Sequence, residues 1–424
     1  MRSSRWLALA GGVVLVMVAA MATDTAAQQC PKGKLRFYTS WPMQGAMIPE
    51  GTGMKNGVDM AVAEAGGAVA GYCIEIVNLD DASPQTGKWD GAVEAENANK
   101  AVGDPLAIVY IGTYNSGAAK VSIPINNRAH MAQITPANTY PGLTRKNGAA
   151  PGEPEIYRPM GFVNYFRVPP PDDVQGTVGA KWAKQLGAKK VYIINDQELY
   201  GKGIADVFEA AAKKIGLQVA ANEGMDYKQP DQKPLLTKVR ASGADMVYLA
   251  GVVDTGAPII LRQMKDLGLV AARGVRLVGP DGLYEDEVLK AGTCDAALGT
   301  EMRITFASLP FEKMKGVGAT TYDNYKKKYG KEPTGYALYS AEAARVALDG
   351  IKRAAAGIDA GANPMAKREA VRAAIAGLKN FDGLNGKFSF DENGDTTLET
   401  MSGFKVVKSD KDPGCTFAFE SVLE

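Results

Sequence analysis

Runs of apolar, β-branched residues recur along the chain, and each is followed by a polar loop and a stretch with apolar residues at helical spacing. Residues 106–111 (LAIVYI) are continuously apolar, as in a strand covered on both faces of a parallel sheet, and Gly112 ends the run. Similar runs lie at 35–39, 74–79 and 131–135. Strands that alternate with helices predict an α/β fold with a doubly wound parallel sheet.

Residues 140–159 form a Pro/Gly-rich loop that is either a surface elaboration or part of a cleft rim. A predicted strand at 165–168 then leads into a Pro-Pro-Pro-Asp-Asp stretch, and a second series of the same kind begins. The predicted strands of this second series are 191–195, 217–221, 246–250 and 276–278. Segments with apolar residues at helical spacing, for example 204–215, lie between these strands. A second lobe of the same class is therefore expected.

The last third of the chain predicts a further extended run at 297–307 and then three helices, near 320–329, 336–355 and 367–377. We expect these helices to belong to the first lobe, because no second-lobe strand accompanies them. Segments 387–390 and 404–407 flank an Asn-Gly turn and predict a hairpin. The acidic turn itself does not match a calcium loop, since Gly394 comes two positions early.

Two polar loops follow neighbouring predicted strands. Asn115, Ser116 and Gly117 come after the strand at 106–111, and Asn138 and Thr139 come after the next strand. In open α/β sheets, ligands bind beyond the carboxyl ends of the strands, where helix N-termini offer free N–H groups. These loops are candidate ligand contacts, and the alternative is that they are ordinary helix caps and turns.

Length, composition and net charge limit the number of domains and the classes of function that the chain can have. A chain of 424 residues is too long for one ordinary core, so two domains and a removable leader are expected. Apolar residues make up 46% and charged residues 22%, which is typical of a soluble globular protein. The formal net charge is +1, and this leaves no electrostatic argument for binding nucleic acid or a membrane surface.

The N-terminus has the pattern of a cleavable signal peptide. Arg2 and Arg5 precede an apolar stretch at 6–21, and the small residues at 25–27 predict cleavage before Gln28. A retained membrane anchor is the alternative, although a stable span needs about 20 strongly apolar residues. We predict a soluble protein exported to a periplasm.

Four cysteines in an exported chain predict two disulfides, for which three connectivities exist. Cys30 precedes the first strand and Cys73 opens the second, so both are expected at the same edge of adjacent parallel strands. This pairing leaves Cys294 with Cys415. A metal site is the competing use of four cysteines, and it is disfavoured because the chain has no C-x-x-C spacing.

Enzymatic signatures are weak. The chain lacks a phosphate-binding G-x-x-x-x-G-K-[S/T] loop, and its single histidine cannot form a multi-histidine metal site. A hydrolytic triad of Ser116, His130 and Asp196 is disfavoured, because His130 precedes its strand and lies roughly 16 Å from the ligand end at ~3.3 Å per residue. We predict a protein that is not an enzyme and that uses no cofactor and no metal.

The stretches YIGTYNSGA, ITPANTYPGLT, IINDQELYGKG and VGPDG, in this order, resemble the periplasmic binding proteins for leucine, isoleucine and valine. The resemblance covers about residues 35–407. It implies a type I periplasmic binding fold, in which two Rossmann-like lobes are joined by a three-crossover hinge and close on the ligand. The crossovers are expected near Arg167, Ile304 and Phe388.

The resemblance also implies domain boundaries. After a signal peptide at 1–27, lobe 1 would comprise 28–167 and 305–387, and lobe 2 would comprise 168–304 and 388–424.

The same resemblance implies roles for the candidate residues of the first lobe. Asn115 and Ser116 match the loop that holds the ligand carboxylate in this family. Asn138 and Thr139 match the loop that contacts both the carboxylate and the ammonium group.

From the second lobe, Tyr200 matches the aromatic residue that covers the ligand, and Asp281 matches the acidic residue that pairs with its ammonium group. The alternatives are a surface aromatic residue and a Pro-Asp-Gly turn. Glu50 stands where leucine-binding members carry an aromatic residue, and residues 252–254 lack the family's tyrosine. Specificity for a polar amino acid, an amide or a small carboxylate therefore stays open.

The expected function is that of an extracytoplasmic substrate-binding protein of an ABC importer, with a branched-chain-like amino acid bound between the lobes. Its expected partners are a membrane permease and its ATPase subunits, and the protein itself is expected to be a monomer. One alternative is a sensing protein for a small amide or aromatic carboxylate. An alternative of another class is a secreted hydrolase.

Overall fold

The computed structural model describes residues 30–290 and 293–424. The predicted signal peptide at 1–27 lies outside the described residues. None of the described helices combines the length and apolar character needed to span a membrane.

The strands form two main sheets and one small hairpin. In chain order the strands are β1 (Lys34–Trp41), β2 (Ala68–Val69), β3 (Tyr72–Asp80), β4 (Ala107–Gly112), β5 (Ala132–Thr135), β6 (Tyr165–Arg167), β7 (Lys190–Asn195), β8 (Gln218–Gly224), β9 (Met246–Ala250), β10 (Arg276–Gly279), β11 (Arg303–Phe306), β12 (Phe381–Gly383), β13 (Gly386–Phe388), β14 (Met401–Lys408) and β15 (Cys415–Leu423).

The α-helices cover the faces of the two main sheets. Within the described residues they are α1 (Ile48–Glu64), α2 (Gly91–Gly103), α3 (Ser116–Arg128), α4 (Asp172–Gln185), α5 (Leu199–Lys214), α6 (Lys233–Ser242), α7 (Ala257–Asp266), α8 (Asp286–Lys290), α9 (Cys294–Gly299), α10 (Val317–Tyr329), α11 (Ala337–Ala360) and α12 (Pro364–Ala376).

The first sheet has six strands in the order β2-β3-β1-β4-β5-β6. All neighbours run parallel except the short β2, which is antiparallel to β3. Phe37 of β1 lies opposite Ile76 and Val109, and both Phe37 and Val109 are fully buried. Because parallel strands share their direction, the loops after β4 and β5 meet at the same edge of the sheet.

The second sheet has seven strands in the order β15-β14-β11-β10-β9-β7-β8. Its strands from β11 to β8 run parallel, whereas β14 is antiparallel to both β11 and β15. The central strand β9 is completely buried, which accounts for its uninterrupted apolar sequence, MVYLA. The loops after β7 and β10 meet at the carboxyl edge of this sheet.

The chain passes between the two sheets three times. It leaves the six-stranded sheet after β6, returns after β11, and joins the seven-stranded sheet again at β14. After the return, α11 packs against α1 and α12. We call the six-stranded sheet with α1–α3 and α10–α12 lobe 1, and the seven-stranded sheet with α4–α9 lobe 2. The arrangement is the predicted α/β fold with two Rossmann-like lobes.

A buried ion pair joins the first and third crossovers. Arg167 and Asp395 are both fully buried, and the Arg167 Nε lies 2.8 Å from the Asp395 Oδ1. The backbone N–H of Arg167 also donates to the carbonyl of Gly394 at 2.9 Å. The Arg167 Nη1 donates to the carbonyls of Asn138, at 3.3 Å, and Tyr140, at 3.0 Å. The crossovers are thus tied to the polar loop that follows β5.

The long loop at 140–159 folds against these crossovers. The hydroxyls of Tyr140 and Tyr157 donate to the carboxylate of Glu153. The Arg145 guanidinium lies 2.7 Å from a carboxylate oxygen of Asp395. The loop is therefore braced by its own hydrogen bonds and by an ion pair to the third crossover.

The predicted hairpin between 387–390 and 404–407 is wrong. Gly386–Phe388 pairs with Phe381–Gly383, whereas β14 pairs with β11 and β15. The Asn-Gly turn does form, since the N–H of Gly394 donates to the carbonyl of Asp391. The chain folds back only briefly after this turn, since Phe390 forms an antiparallel bridge with Thr396 and the N–H of Thr397 donates to the carbonyl of Ser389. Asp395 is held at the buried Arg167.

The predicted extended run at 297–307 is wrong over its first part. Cys294–Gly299 is helical, and the strand begins only at Arg303. Sequence patterns also gave no indication of β15, an edge strand whose residues are mostly half-buried and therefore carry little alternation.

Both predicted disulfides are confirmed. Cys30 is bonded to Cys73, and Cys294 to Cys415. The first bond joins the start of β1 to β3, where Lys34 lies opposite Cys73. The second joins α9 to the edge strand β15.

Candidate functional site

Five loops from the carboxyl ends of β4, β5, β7, β9 and β10 converge between the lobes. They enclose a small cavity of about 20 Å³, which has room for about one water molecule. Its lining residues are Tyr114, Asn115, Ser116, Ala137, Tyr200, Val252, Asp281, Gly282 and Tyr336. The structure therefore has a closed cleft, and a larger ligand requires the lobes to part or these side chains to move.

Lobe 1 presents neutral polar groups to this cavity. Ser116 opens α3, a helix of 13 residues whose N-terminus carries partial positive charge. The Oδ1 of Asn115 and the Oγ1 of Thr139 are buried without a hydrogen-bond partner. Gly117 lies against Trp89, and an added Cβ would come within 2.5 Å of the indole ring. The glycine therefore permits the tight packing of the loop.

Asn138 is engaged inside lobe 1. Its Oδ1 accepts from the Tyr165 hydroxyl at 2.8 Å, and its Nδ2 donates to the Tyr114 carbonyl at 2.7 Å. The Thr113 Oγ1 lies 3.3 Å from the same Oδ1. The Asn138 side chain thus joins the loop after β4 to the loop after β5. Its direct contact with a ligand stays a prediction.

Tyr200 and Asp281 lie side by side in lobe 2. Tyr200 is in the first turn of α5, and its hydroxyl donates to the Asp281 Oδ1 at 2.6 Å while it accepts from the Gly282 N–H at 3.0 Å. The Tyr336 hydroxyl donates to the other carboxylate oxygen of Asp281. Burial raises the pKa of Asp281, and the hydrogen bonds from these two phenols lower it in part.

Asp172 is a site residue that sequence patterns did not single out. It begins α4 directly after the first crossover, it is fully buried, and neither of its carboxylate oxygens has a hydrogen-bond partner. Its backbone N–H donates to the Thr139 carbonyl at 2.8 Å. Burial and the nearby charge of Asp281 raise the pKa of Asp172 well above its ordinary value. The only sequence signal was its place in the Pro-Pro-Pro-Asp-Asp stretch.

The model of the periplasmic binding protein family matches residues 39–412, which is most of the chain. The chain belongs to this family. The chain is 32% identical over 303 residues to an amino acid binding protein of Pseudomonas aeruginosa, and this alignment covers 70% of this chain and 73% of that protein. It is 30% identical over 371 residues to the Leu/Ile/Val-binding protein BraC3 of Rhizobium johnstonii, covering 86% and 89%.

A solved structure gives the same fold for this periplasmic binding protein. The leucine binding protein LivK of Thermotoga maritima superposes with a TM-score of 0.76 at 25% identity, over 92% of this chain and 98% of that one. The type I arrangement of two lobes and a three-crossover hinge is therefore confirmed.

Two contacts bridge the lobes of this binding protein across the cleft. The Tyr336 hydroxyl of lobe 1 donates to Asp281 of lobe 2, and the Tyr114 hydroxyl of lobe 1 donates to Glu285 of lobe 2. The rings of the two tyrosines meet edge to face with centroids 5.9 Å apart. Neither tyrosine was predicted from the sequence, because its role depends on the approach of the opposite lobe.

The residues considered for a hydrolytic triad are not assembled. His130 precedes β5, at the end opposite to the cleft, and its Nδ1 lies 2.9 Å from the Glu369 carboxylate on α12. Asp196 accepts from the Thr255 hydroxyl at 2.7 Å. Ser116 therefore has neither His130 nor Asp196 as a hydrogen-bond partner.

Proposed function

We propose that this periplasmic binding protein is the extracytoplasmic substrate-binding protein of an ABC importer and that it binds a small α-amino acid between its lobes. One observation carries the proposal. Neutral polar groups and a helix N-terminus line one side of the cavity, and the buried carboxylate of Asp281 lines the other side. The two sides complement the carboxylate and the ammonium group of a zwitterion.

Lobe 1 would hold the ligand carboxylate. Charge-assisted hydrogen bonds offset the hydration that a carboxylate loses on entering a cleft. Ser116 and Asn115 with the N-terminus of α3 would supply donors, and Thr139 would contact the carboxylate and the ammonium group. We propose that Asn138 keeps the two loops in place for these contacts.

Lobe 2 would hold the ammonium group. Asp281 is directed by the hydroxyls of Tyr200 and Tyr336, and Asp172 offers two oxygens that have no partner. Tyr200 would also cover the ligand. The relatives named as amino acid and Leu/Ile/Val-binding proteins support an α-amino acid as the ligand.

Ligand release would require the lobes to part about the three crossovers. We propose that lobe 1 comprises 28–167 and 305–387, and that lobe 2 comprises 168–304 and 388–424. The ligand would bind lobe 1 first, and closure would bring the acidic residues of lobe 2 across the cleft. No covalent bond is made or broken in this cycle.

The remaining parts of the proposal concern partners and location. The closed monomer would dock on a membrane permease with its ATPase subunits. A signal peptide at 1–27 would direct the chain to the periplasm, and the two disulfides agree with an oxidising compartment.

A thermal-unfolding screen tests the proposal. The mature protein is heated with each L-amino acid, with small amides and with benzoate. A ligand at 100 times its dissociation constant stabilises the folded state by about 2.7 kcal/mol. We expect this stabilisation from at least one α-amino acid. Stabilisation by benzoate or an amide alone would favour the sensing alternative instead.

The Asp281→Asn variant tests the ammonium contact by calorimetric titration. It should weaken binding of an α-amino acid by ~2–5 kcal/mol, as expected for breaking a buried charge pair. Binding of the same molecule without its amine should be unchanged or stronger. The control is Asp206→Asn on α5, where the aspartate is exposed and pairs with Lys202. Equal losses in both variants would argue against the contact.

A further inference from the structure

Two buried carboxylates from opposite lobes line a second cavity next to the ligand cavity. Glu50 lies in the first turn of α1 in lobe 1 and is 2% exposed, and Glu285 follows β10 in lobe 2 and is 7% exposed. The volume of this second cavity is about 670 Å³. Burial and the charge of Glu50 raise the pKa of Glu285 well above its ordinary value. The two groups are therefore close enough to repel each other when both are ionised.

Tyr114 and Tyr336 line the ligand cavity, and each forms a hydrogen bond to one of the two carboxylates of the second cavity. The Tyr114 hydroxyl donates to Glu285, and the backbone N–H of Tyr336 donates to the Glu50 Oε1 at 2.9 Å. Aromatic faces attract cations, and a long aliphatic stem packs well against them. A ligand side chain that starts at the first cavity can thus reach the carboxylates by passing these rings.

No resident cation neutralises this pair. Within residues 30–290 and 293–424, no lysine, arginine or histidine forms an ion pair with Glu50 or Glu285. Three lysines line the second cavity. Lys290 pairs with Glu287 and Lys326 pairs with Glu332, and the third, Lys331, is exposed and forms no ion pair with either buried carboxylate. Buried like charges are costly unless a proton or a cation is placed between them.

A second pair of buried carboxylates lies beside the ligand cavity. Asp172 is fully buried near Asp281, and the Thr139 hydroxyl and the charge of Arg167 only partly offset the rise in the pKa of Asp172 that burial and Asp281 cause. The closed cleft thus holds two pairs of carboxylates, Asp172 with Asp281 and Glu50 with Glu285. If each pair shares one proton, each still carries one negative charge. A ligand with a single ammonium group neutralises only one of the pairs.

Building on the proposed function, we infer that the ligand is an amino acid with a second cationic group on its side chain, held between Glu50 and Glu285. The class includes α-amino acids that end in a primary amine or a guanidinium. Because the two carboxylates belong to different lobes, the distal cation also favours closure. An apolar ligand of the same length leaves this pair without a counter-charge.

Calorimetric titration with L-lysine and L-norleucine tests the inference, because the two molecules differ only in the distal amine. The unmodified mature protein should bind L-lysine at least tenfold more tightly than L-norleucine. Equal affinity, or tighter binding of L-norleucine, overturns the inference and leaves the proposed function intact. If no α-amino acid binds at all, the proposed function fails as well.

Two isosteric variants locate the distal cation. Glu50→Gln and Glu285→Gln each remove one charge without changing the shape of the side chain. Each should reduce the preference for L-lysine over L-norleucine at least fivefold. The matched control is Glu64→Gln, because Glu64 is exposed at the opposite end of the same helix and bonds to Asn324. An unaltered preference in both cleft variants contradicts the assignment of this site.

Discussion

The two faces of the cleft differ in charge. The loops of lobe 1 offer hydroxyl and amide groups and a helix N-terminus, whereas lobe 2 offers the carboxylates of Asp172, Asp281 and Glu285. The folds behind the faces are the same in class, so the difference lies in the loops. Under the proposed function, each lobe recognises one end of the ligand, and neither lobe alone is complementary to the whole molecule.

The two faces also differ in the free energy that it costs to bury their polar groups when the cleft closes without ligand. An unpaired neutral group such as the Asn115 Oδ1 or the Thr139 Oγ1 costs about 1–3 kcal/mol when buried. A buried unpaired carboxylate such as that of Asp172 costs more, unless it takes up a proton. Closure without ligand is therefore opposed mainly by lobe 2.

The largest expected effect comes from neutralising the unpartnered carboxylate of lobe 2. Asp172→Asn should weaken binding of an α-amino acid by ~2–5 kcal/mol, because a buried ammonium group loses its counter-charge. It should also raise the free energy of unfolding without ligand, since a buried charge is removed. Calorimetry and urea unfolding measure the two quantities. Weaker binding together with lower stability would indicate a structural role instead.

Glu50 is the exception on lobe 1, and its protonation should make stability depend on pH. Burial raises its pKa from 4.5 to about 7, with Glu285 and Asp286 as its acidic neighbours. A carboxyl whose folded pKa is raised favours the folded state at low pH, and this stability is lost as the pH rises from about 4.5 to about 7.

In the parent protein, the unfolding free energy should fall by roughly 3 kcal/mol between pH 5 and pH 8 on account of Glu50, because one pKa unit corresponds to about 1.4 kcal/mol. In Glu50→Gln this part of the fall should be absent. Urea unfolding of the parent and the variant at both pH values provides the measurement. Parallel pH profiles of the parent and the variant would mean that Glu50 is ionised in the folded protein and that folding does not raise its pKa.

A smaller effect is expected on the neutral face. Ser116→Ala should weaken ligand binding by about 1.5–3 kcal/mol, the range for a hydrogen bond to a charged group. The unfolding free energy without ligand should hardly change, because the Ser116 Oγ makes only a long contact of 3.4 Å with the Tyr140 N–H. A loss as large as that of Asp172→Asn would remove the distinction between the faces.

The smallest effect should come from Tyr200→Phe, which keeps the ring over the cavity and removes the hydroxyl. Asp281 would then retain the hydroxyl of Tyr336, so the expected loss of affinity is about 0.5–1.5 kcal/mol. Calorimetric titration with the same ligand gives the value. If affinity falls a hundredfold, the phenol itself contacts the ligand.

Much of the fold follows from local patterns. The apolar run at 106–111 could hardly be anything other than a buried strand, and the loops at its carboxyl end were located for the same reason. The disulfides followed from the order of adjacent parallel strands. Asn115 and Ser116 both line the cavity, because their positions are fixed by the end of β4.

The remainder depends on contacts between distant segments. Residues 391–395 do make the turn that they favour, yet Arg167 decides where the chain goes next. Asn138 has the chemistry of a ligand contact, but its side chain is used to join two loops. Asp172 looked like one of two acidic residues after a proline run. Its importance arises only from burial beside Asp281.

The return of the chain to lobe 1 after β11 has a consequence for biogenesis. Helix α11, which packs against α1, ends at Ala360, so lobe 1 is incomplete until most of the polypeptide has been made. The Cys294–Cys415 bond cannot form until the chain has been made as far as Cys415. An export machine that requires unfolded substrates would thus meet a chain whose order of synthesis itself postpones folding.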